Sequence, residues 1–247
     1  MKKTSEDERE EKIKGDFLLY LEGLKDFEQY RLPQRAYHII RLAIRDLILP
    51  PGSMILEREM SEALEMSRTP VREALVRLET EGVLRLVPRR GFVVEPIEKQ
   101  DLVEIYDIAG SLEGLAVDLA TSNVGQEEIK ILDEIVAEQE QALEQKDLHK
   151  WAQLDDRFHS SLIDFSQSKR LRSVIDIHAD QIYRARLFTI RYRPLPFQSI
   201  EEHKAIISCI RAKDPKASRL LMQSHRKRTL KEILKVIDQS NGTEEEN

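Results

Sequence analysis

The chain holds one cysteine in 247 residues, Cys209, so no intramolecular disulfide can staple it. That lone thiol reads as a small buried apolar side chain and fits a reducing compartment. Glycine and proline are scarce, nine of each, which excludes collagen-like and loop-dominated architectures. No apolar run approaches the roughly 20 residues needed to span a bilayer. The opening MKKTSEDEREEK lacks the apolar core of a secretory signal. A soluble, cytoplasmic protein is therefore expected. A positive balance is missing too: the formal net charge is -6, so any nucleic-acid site must be a local patch. What is present, 40% apolar and 34% charged residues, suits a mostly helical chain long enough for two cores.

The most informative stretch is SRTPVREALVRLETEGVL, residues 67–84. Val71, Ala74, Leu75 and Leu78 recur at helical spacing and form one apolar stripe. Arg68, Thr69, Arg72 and Arg77 lie around the start or on the remaining surface. Thr69 is expected to cap the first turn, with Pro70 at the first helical position, where no amide donor is lost. The start of this helix would then present two arginines and a hydroxyl to a polyanion, with the positive end of the dipole behind them.

The surroundings fit a DNA-reading unit. Residues 1–31 read as a tail and an extra amphipathic helix. Within them, 1–12 are dense in both charge signs and expected to be disordered. Phe17, Tyr20, Leu21, Leu24 and Phe27 give 17–30 a helical face that could dock on the body of the protein or on a second copy. Residues 32–95 read as a winged helix-turn-helix. A first helix over 35–49 is stopped by Pro50-Pro51-Gly52, a second covers 58–64, and a turn at 65–67 leads into the helix above. The runs VLRLV and FVVEP then flank Pro88-Arg89-Arg90-Gly91, a hairpin with a basic tip. Residues 35–94 carry ten arginines, no lysine and eight acidic residues, so this segment is mildly positive within a negative chain.

LEREMSEALEMSRTPVREALVRLETEGVL followed by PRRGFVV resembles the DNA-binding domain of the GntR family of bacterial transcription regulators. The resemblance implies DNA contacts from Arg58, Arg68, Thr69, Arg72 and Gly91, with Arg90 beside them. The turn departs from the family in carrying Glu65 where glycine is common. Either Glu65 takes a left-handed backbone at a cost of about 1 kcal/mol or the turn is built differently.

From residue 96 to 240 the pattern is an all-helical antiparallel bundle, with a disordered tail at 241–247. Six helices are expected near 98–121, 126–145, 147–167, 169–191, 197–213 and 214–238, giving a mainly α protein overall. Asp155 and His159 stand four apart, on one face of one helix. His203 and His225 each lie eleven residues from Asp214. If the last two helices form an antiparallel hairpin about that aspartate, their imidazoles come level. One carboxylate and three imidazoles could then converge on a first-row divalent ion such as Zn, Ni or Mn. The plainer alternative is that these histidines are hydrogen-bonded core residues. Arg184 and Arg186 could face the same cavity and hold a carboxylate, or be solvated cations. His38, His149 and His178 are read as structural or exposed.

D-x-x-F-H at 155–159, E-H-K-A-I at 202–206, A-K-D at 212–214 and His225 resemble the effector domain (FCD) of the FadR-type branch of the GntR family. The resemblance implies that Asp155, His159, His203 and His225 are metal ligands. Six helices resemble the VanR-type subgroup. The family often carries an arginine three residues before the Leu112-Glu113 pair; here that position is Ala109. The expected function is a metabolite-responsive repressor, not an enzyme. It would be a homodimer on a pseudo-palindromic double-stranded operator, answering a small carboxylate effector. A direct metal sensor and a metal-dependent enzyme fused to a winged helix are the alternatives.

Overall fold

The computed structural model describes residues 5–24 and 27–242. The chain divides into two compact units, Met1–Ile97 and Glu98–Asn247.

In the first unit, α1 (Ser5–Gly23) begins well before the expected helical start. The described part of 1–12, expected to be disordered, is thus helical, while residues 1–4 lie outside the described residues. The helix also ends at Gly23 rather than Tyr30, and Leu24 closes a turn onto the Leu21 carbonyl at 3.2 Å. Phe17 is buried and the Tyr20 hydroxyl donates to Asp46 Oδ2 at 2.7 Å, so α1 docks on its own winged helix. Next, α2 (Leu32–Arg45) starts three residues earlier than expected, because Pro33 fits a first turn whose amides have no intrahelical partner. It ends before Pro50 because Leu47 turns left-handed, with φ 60°.

A two-residue strand, β1 (Met54–Ile55), precedes α3 (Glu57–Ala63). Glu65 takes φ 53°, so the turn keeps its left-handed geometry without a glycine. Within residues 67–84 lies α4 (Arg68–Thr80), which buries Pro70, Val71, Ala74, Leu75 and Leu78. Ser67, not Thr69, occupies the N-cap position, and Pro70 is the third helical residue rather than the first. The proline remains harmless there, since the first four amides lack intrahelical acceptors.

The wing pairs β2 (Leu84–Val87) with β3 (Gly91–Val94), placing Leu86 opposite Phe92 and Val87 opposite Gly91. β1 adds to the other side of β3, giving an antiparallel sheet in the order β1-β3-β2. Gly91 is required twice over: its φ is +109°, and a Cβ would sit 2.6 Å from the Ile55 carbonyl oxygen. A second left-handed residue, Arg89 with φ 65°, shares the tip.

Among the described residues of the second unit, six helices follow: α5 (Lys99–Asn123), α6 (Gln126–Glu144), α7 (Leu148–Phe165), α8 (Lys169–Thr189), α9 (Phe197–Arg211) and α10 (Pro215–Gly242). A 3-10 turn, Ile190–Tyr192, follows α8. The main core joins Val117, Leu132, Ile135, Trp151, Leu154, Phe158 and Ile207. Glycines let α5 and α10 approach closely: a Cβ at Gly114 would meet Gln223 Cγ at 3.0 Å. Residues 241 and 242 belong to α10, so the expected disorder of the tail fails there, and 243–247 lie outside the described residues.

Candidate metal centre and nucleic-acid interface

The arginine-bearing surface is built by burial of the opposite side. With Val71, Ala74, Leu75 and Leu78 turned inward, Arg68, Thr69, Arg72, Glu73 and Val76 are left exposed on α4. Together with Glu57 they line a shallow concavity at the start of the helix. Arg68 and Arg72 make no ion pair with any described residue. Arg58, on α3, is exposed and only loosely held by Glu62 at 3.7 Å. Arg90 and Arg89 are exposed at the wing tip beside Gly91. Arg77 is occupied differently: it bonds Glu81 at 3.0 Å and lies over the Tyr37 ring at 3.7 Å, which removes it from this surface.

In the second unit, α7 presents Asp155 and His159 one turn apart, and the α9–α10 hairpin brings His203 and His225 level. Asp214 caps α10 by accepting the Ala217 amide at 3.0 Å, with Lys213 left-handed at φ 56° in the turn. The His203 and His225 rings lie 4.9 Å apart, and His159 is 5.4 and 5.2 Å from them. One ligating atom of each imidazole falls within 4.8 Å of the others. Asp155 lies 3.8 Å from His159 Nε2 and 3.6 Å from His203 Nε2. All four residues predicted from spacing are therefore brought together, and all four are buried.

Each imidazole is held from behind. His203 Nδ1 pairs with Gln139 Oε1 at 2.9 Å, and its ring stacks on Phe158 at 4.0 Å. His225 Nδ1 pairs with Glu202 Oε2 at 2.7 Å, and Glu202 is gripped by Arg228 at 2.6 Å. His159 Nδ1 lies 3.0 Å from Glu113 Oε2, and Glu113 takes a forked contact from Arg226 at 2.6 and 2.8 Å. At His203 and His225 the acceptors at Nδ1 fix the proton there and leave Nε2 as a lone pair, whereas His159 Nδ1 only touches its carboxylate without an aligned hydrogen bond. Both ring nitrogens of His159, His203 Nε2 and Asp155 Oδ2 have no hydrogen-bond partner although buried. Burial is the first cause that holds all three histidines below their ordinary pKa, His203 at about 3. Burial opposes ionisation of Asp155, but the Arg186 guanidinium beside it outweighs that and keeps the carboxylate charged. Neutral imidazoles beside an ionised carboxylate are the donor set a divalent transition ion requires, so the residues fit such an ion.

The two candidate arginines separate. Arg186 places Nη1 2.8 Å from Asp155 Oδ2. Arg184 is buried and has interactions of its own, but lies two residues earlier and about 200° round the helix. Ala109 is buried and supplies no cation; the guanidinium beside Asp155 comes from α8 instead. Sequence reasoning missed the supporting shell of Glu113, Gln139, Glu202, Arg226 and Arg228, and also Tyr106 and Arg193. One signal was available for Glu113: it interrupts the buried face formed by Ala109, Gly110, Gly114, Ala116 and Val117.

A winged helix with a bare arginine-bearing helix, followed in sequence by a helical bundle around a buried polar centre, is the plan of a bacterial transcription regulator. Residues 32–94 match the family described as bacterial regulatory proteins, gntR family, and residues 104–228 match the FCD domain. The chain belongs to the GntR family and carries an FCD domain. It is 32% identical to the Nta operon transcriptional regulator of Aminobacter aminovorans over 76% of this chain and 87% of that one. The HTH-type transcriptional regulator YdhC of Bacillus subtilis is 28% identical over 76% of this chain and 85% of that one, and is described as uncharacterized. Among solved structures, McbR/YncC of E. coli superposes with a TM-score of 0.74 at 24% identity, covering 84% of this chain and 99% of that one. Similarity at that identity speaks for the fold alone. The matching families and relatives are transcriptional regulators, not enzymes. No described helix is long and apolar enough to cross a membrane.

Proposed function

We propose that this regulator is a homodimeric repressor that releases a pseudo-palindromic operator when a small carboxylate binds beside a metal ion in its FCD domain. Arg68, Thr69 and Arg72 read the major groove from α4, Arg58 positions α3 on the backbone, and Arg90 at the Gly91 tip meets phosphate or the minor groove. Dimerisation draws support from Ile108, Leu115 and Leu119, an apolar stripe along α5 left exposed in the single chain. Asp155, His159, His203 and His225 hold Zn, Ni or Mn, and the domains run as 32–95 for DNA and 96–240 for metal and effector.

The observation that carries the reading is the set of inward-facing nitrogen and oxygen atoms left without hydrogen bonds in a buried site. A bound divalent ion supplies Lewis acidity and open coordination positions for a carboxylate. The protein's residues orient the ligands, keep the imidazoles neutral and exclude water. A ligand that prefers one of two arrangements of the bundle shifts the population of DNA-competent dimers.

The test is operator binding by the metal-loaded and chelated protein with and without carboxylates. The reading expects the acid to weaken binding only when metal is present. Metal alone switching affinity, with no acid effect, would instead identify the ion as the signal.

A further inference from the structure

Beside the proposed ligands lie three buried donors that the metal set does not use. The Tyr106 hydroxyl, on a side chain 3% exposed, has no hydrogen-bond partner among the described residues. Arg193, on the segment after α8, has a side chain 5% exposed and an unpaired Nε. Its other nitrogens reach only the Glu232 carboxylate and the Arg186 carbonyl, each at 3.5 Å, the outer limit of a hydrogen bond. Glu232 bonds Arg228 through Oε1 at 2.6 Å, and Arg193 meets only its other oxygen, Oε2, across the long contact. Arg186 Nη1 contacts Asp155 without making a well-aligned hydrogen bond.

These groups share one electrostatic neighbourhood. Burial raises the Tyr106 phenol against the opposing pull of Arg186, Arg226 and Arg193. Burial lowers Arg193, and Tyr106, Glu232, Arg186 and Asp155 all act on it. The charges nearest the ligands nearly cancel: Arg186 faces Asp155, and Arg226 faces Glu113. A divalent ion adds two positive charges to that balance, while Arg193 is matched by Glu232 across a long 3.5 Å contact. A single carboxylate leaves such a buried site positive, whereas a second anionic group neutralises it and satisfies the idle donors.

We propose that Tyr106 and Arg193 form a second anion subsite next to the metal ligands, making the effector a dicarboxylate rather than a monocarboxylate. This rests on the carboxylate-responsive reading above. One carboxylate takes the open side of the ion. The distal one accepts from the Tyr106 hydroxyl and the Arg193 guanidinium. The length of the acid is set by the span between these two positions.

Calorimetric titration of the zinc-loaded full chain with acetate, malonate, succinate and glutarate tests it. At least one diacid should bind about tenfold or more tighter than acetate. Tyr106→Phe, which removes one hydroxyl and keeps the ring, and Arg193→Gln should each bring that ratio to within about threefold. Acetate binding and zinc content should stay unchanged in both variants. Equal binding of acetate and every diacid by the parent overturns the subsite, as do variants that weaken acetate as much as the diacids. Binding of none of the four acids overturns the underlying carboxylate reading along with it, an outcome distinct from a lost preference.

Discussion

Single side chains decide whether the buried histidines behave as ligands, because each needs its proton held on the outward nitrogen. Gln139 does this for His203 at 2.9 Å, so Gln139→Leu should weaken metal binding by about 10- to 100-fold. A chelator-competition titration measures that loss, and circular dichroism should show the helices intact. Acid acts on the same nitrogens. The folded-state pKa values of His159, His203 and His225 are depressed, so the unfolded chain gains protons first as pH falls below about 6.5. Their contribution to stability is complete above that pH and is lost progressively toward about 3 for His203. The urea midpoint of the metal-free protein should therefore be lower at pH 5 than at pH 7.5; an unchanged or higher midpoint counts against neutral buried imidazoles. On α4, Arg68→Ala and Arg72→Ala should each cost about 1–3 kcal/mol of operator binding, read by fluorescence anisotropy. A variant that has lost a phosphate contact should also show a salt slope shallower by about 1.

Among the elements, those with a strong apolar period were readable and those fixed by contact were not. The stripe Val71, Ala74, Leu75 and Leu78 located α4 in the sequence, and all four residues are buried. Its cap was misassigned because Ser67, Thr69 and Pro70 all favour helix starts, and propensity alone does not rank them. β1 escaped notice because two residues carry no alternation; it exists through its pairing with β3. That pairing makes the wing sensitive at one point. Gly91→Ala places a methyl against the Ile55 carbonyl and should displace β1 and weaken DNA binding, with the α4 surface left as it is. The turn before α4 responds in the opposite sense. Glu65 holds φ 53°, so Glu65→Gly relieves roughly 1 kcal/mol of left-handed strain, less some unfolded-state entropy. A raised thermal midpoint for the first unit, with unchanged operator affinity, is the expected result.

On the scale of the whole molecule, the sequence carried the division of labour more clearly than the chemistry of its control site. Arginines concentrate in 35–94 although the chain carries -6 overall, and the histidines stand symmetrically about Asp214. Those patterns are local in sequence. The supporting shell is not: Arg226 reaches Glu113 across 113 positions, and Lys204, beside His203, reaches Glu140 across 64. Only the packing of α5 on α10 and α6 on α9 brings such partners together. Arg184 and Arg186 were indistinguishable in sequence for a related reason, since helical phase becomes an address only when the facing helix is known. The central claim is that the buried centre governs the DNA-reading helix, and one comparison tests it most directly. Operator affinity of the zinc-loaded chain should change by about fivefold or more when a diacid that it binds is added, the lower end of allosteric coupling. In His203→Ala the same addition should change nothing, while affinity without the acid stays measurable. An equal shift in both proteins, or none in the parent at saturating acid, would contradict the account.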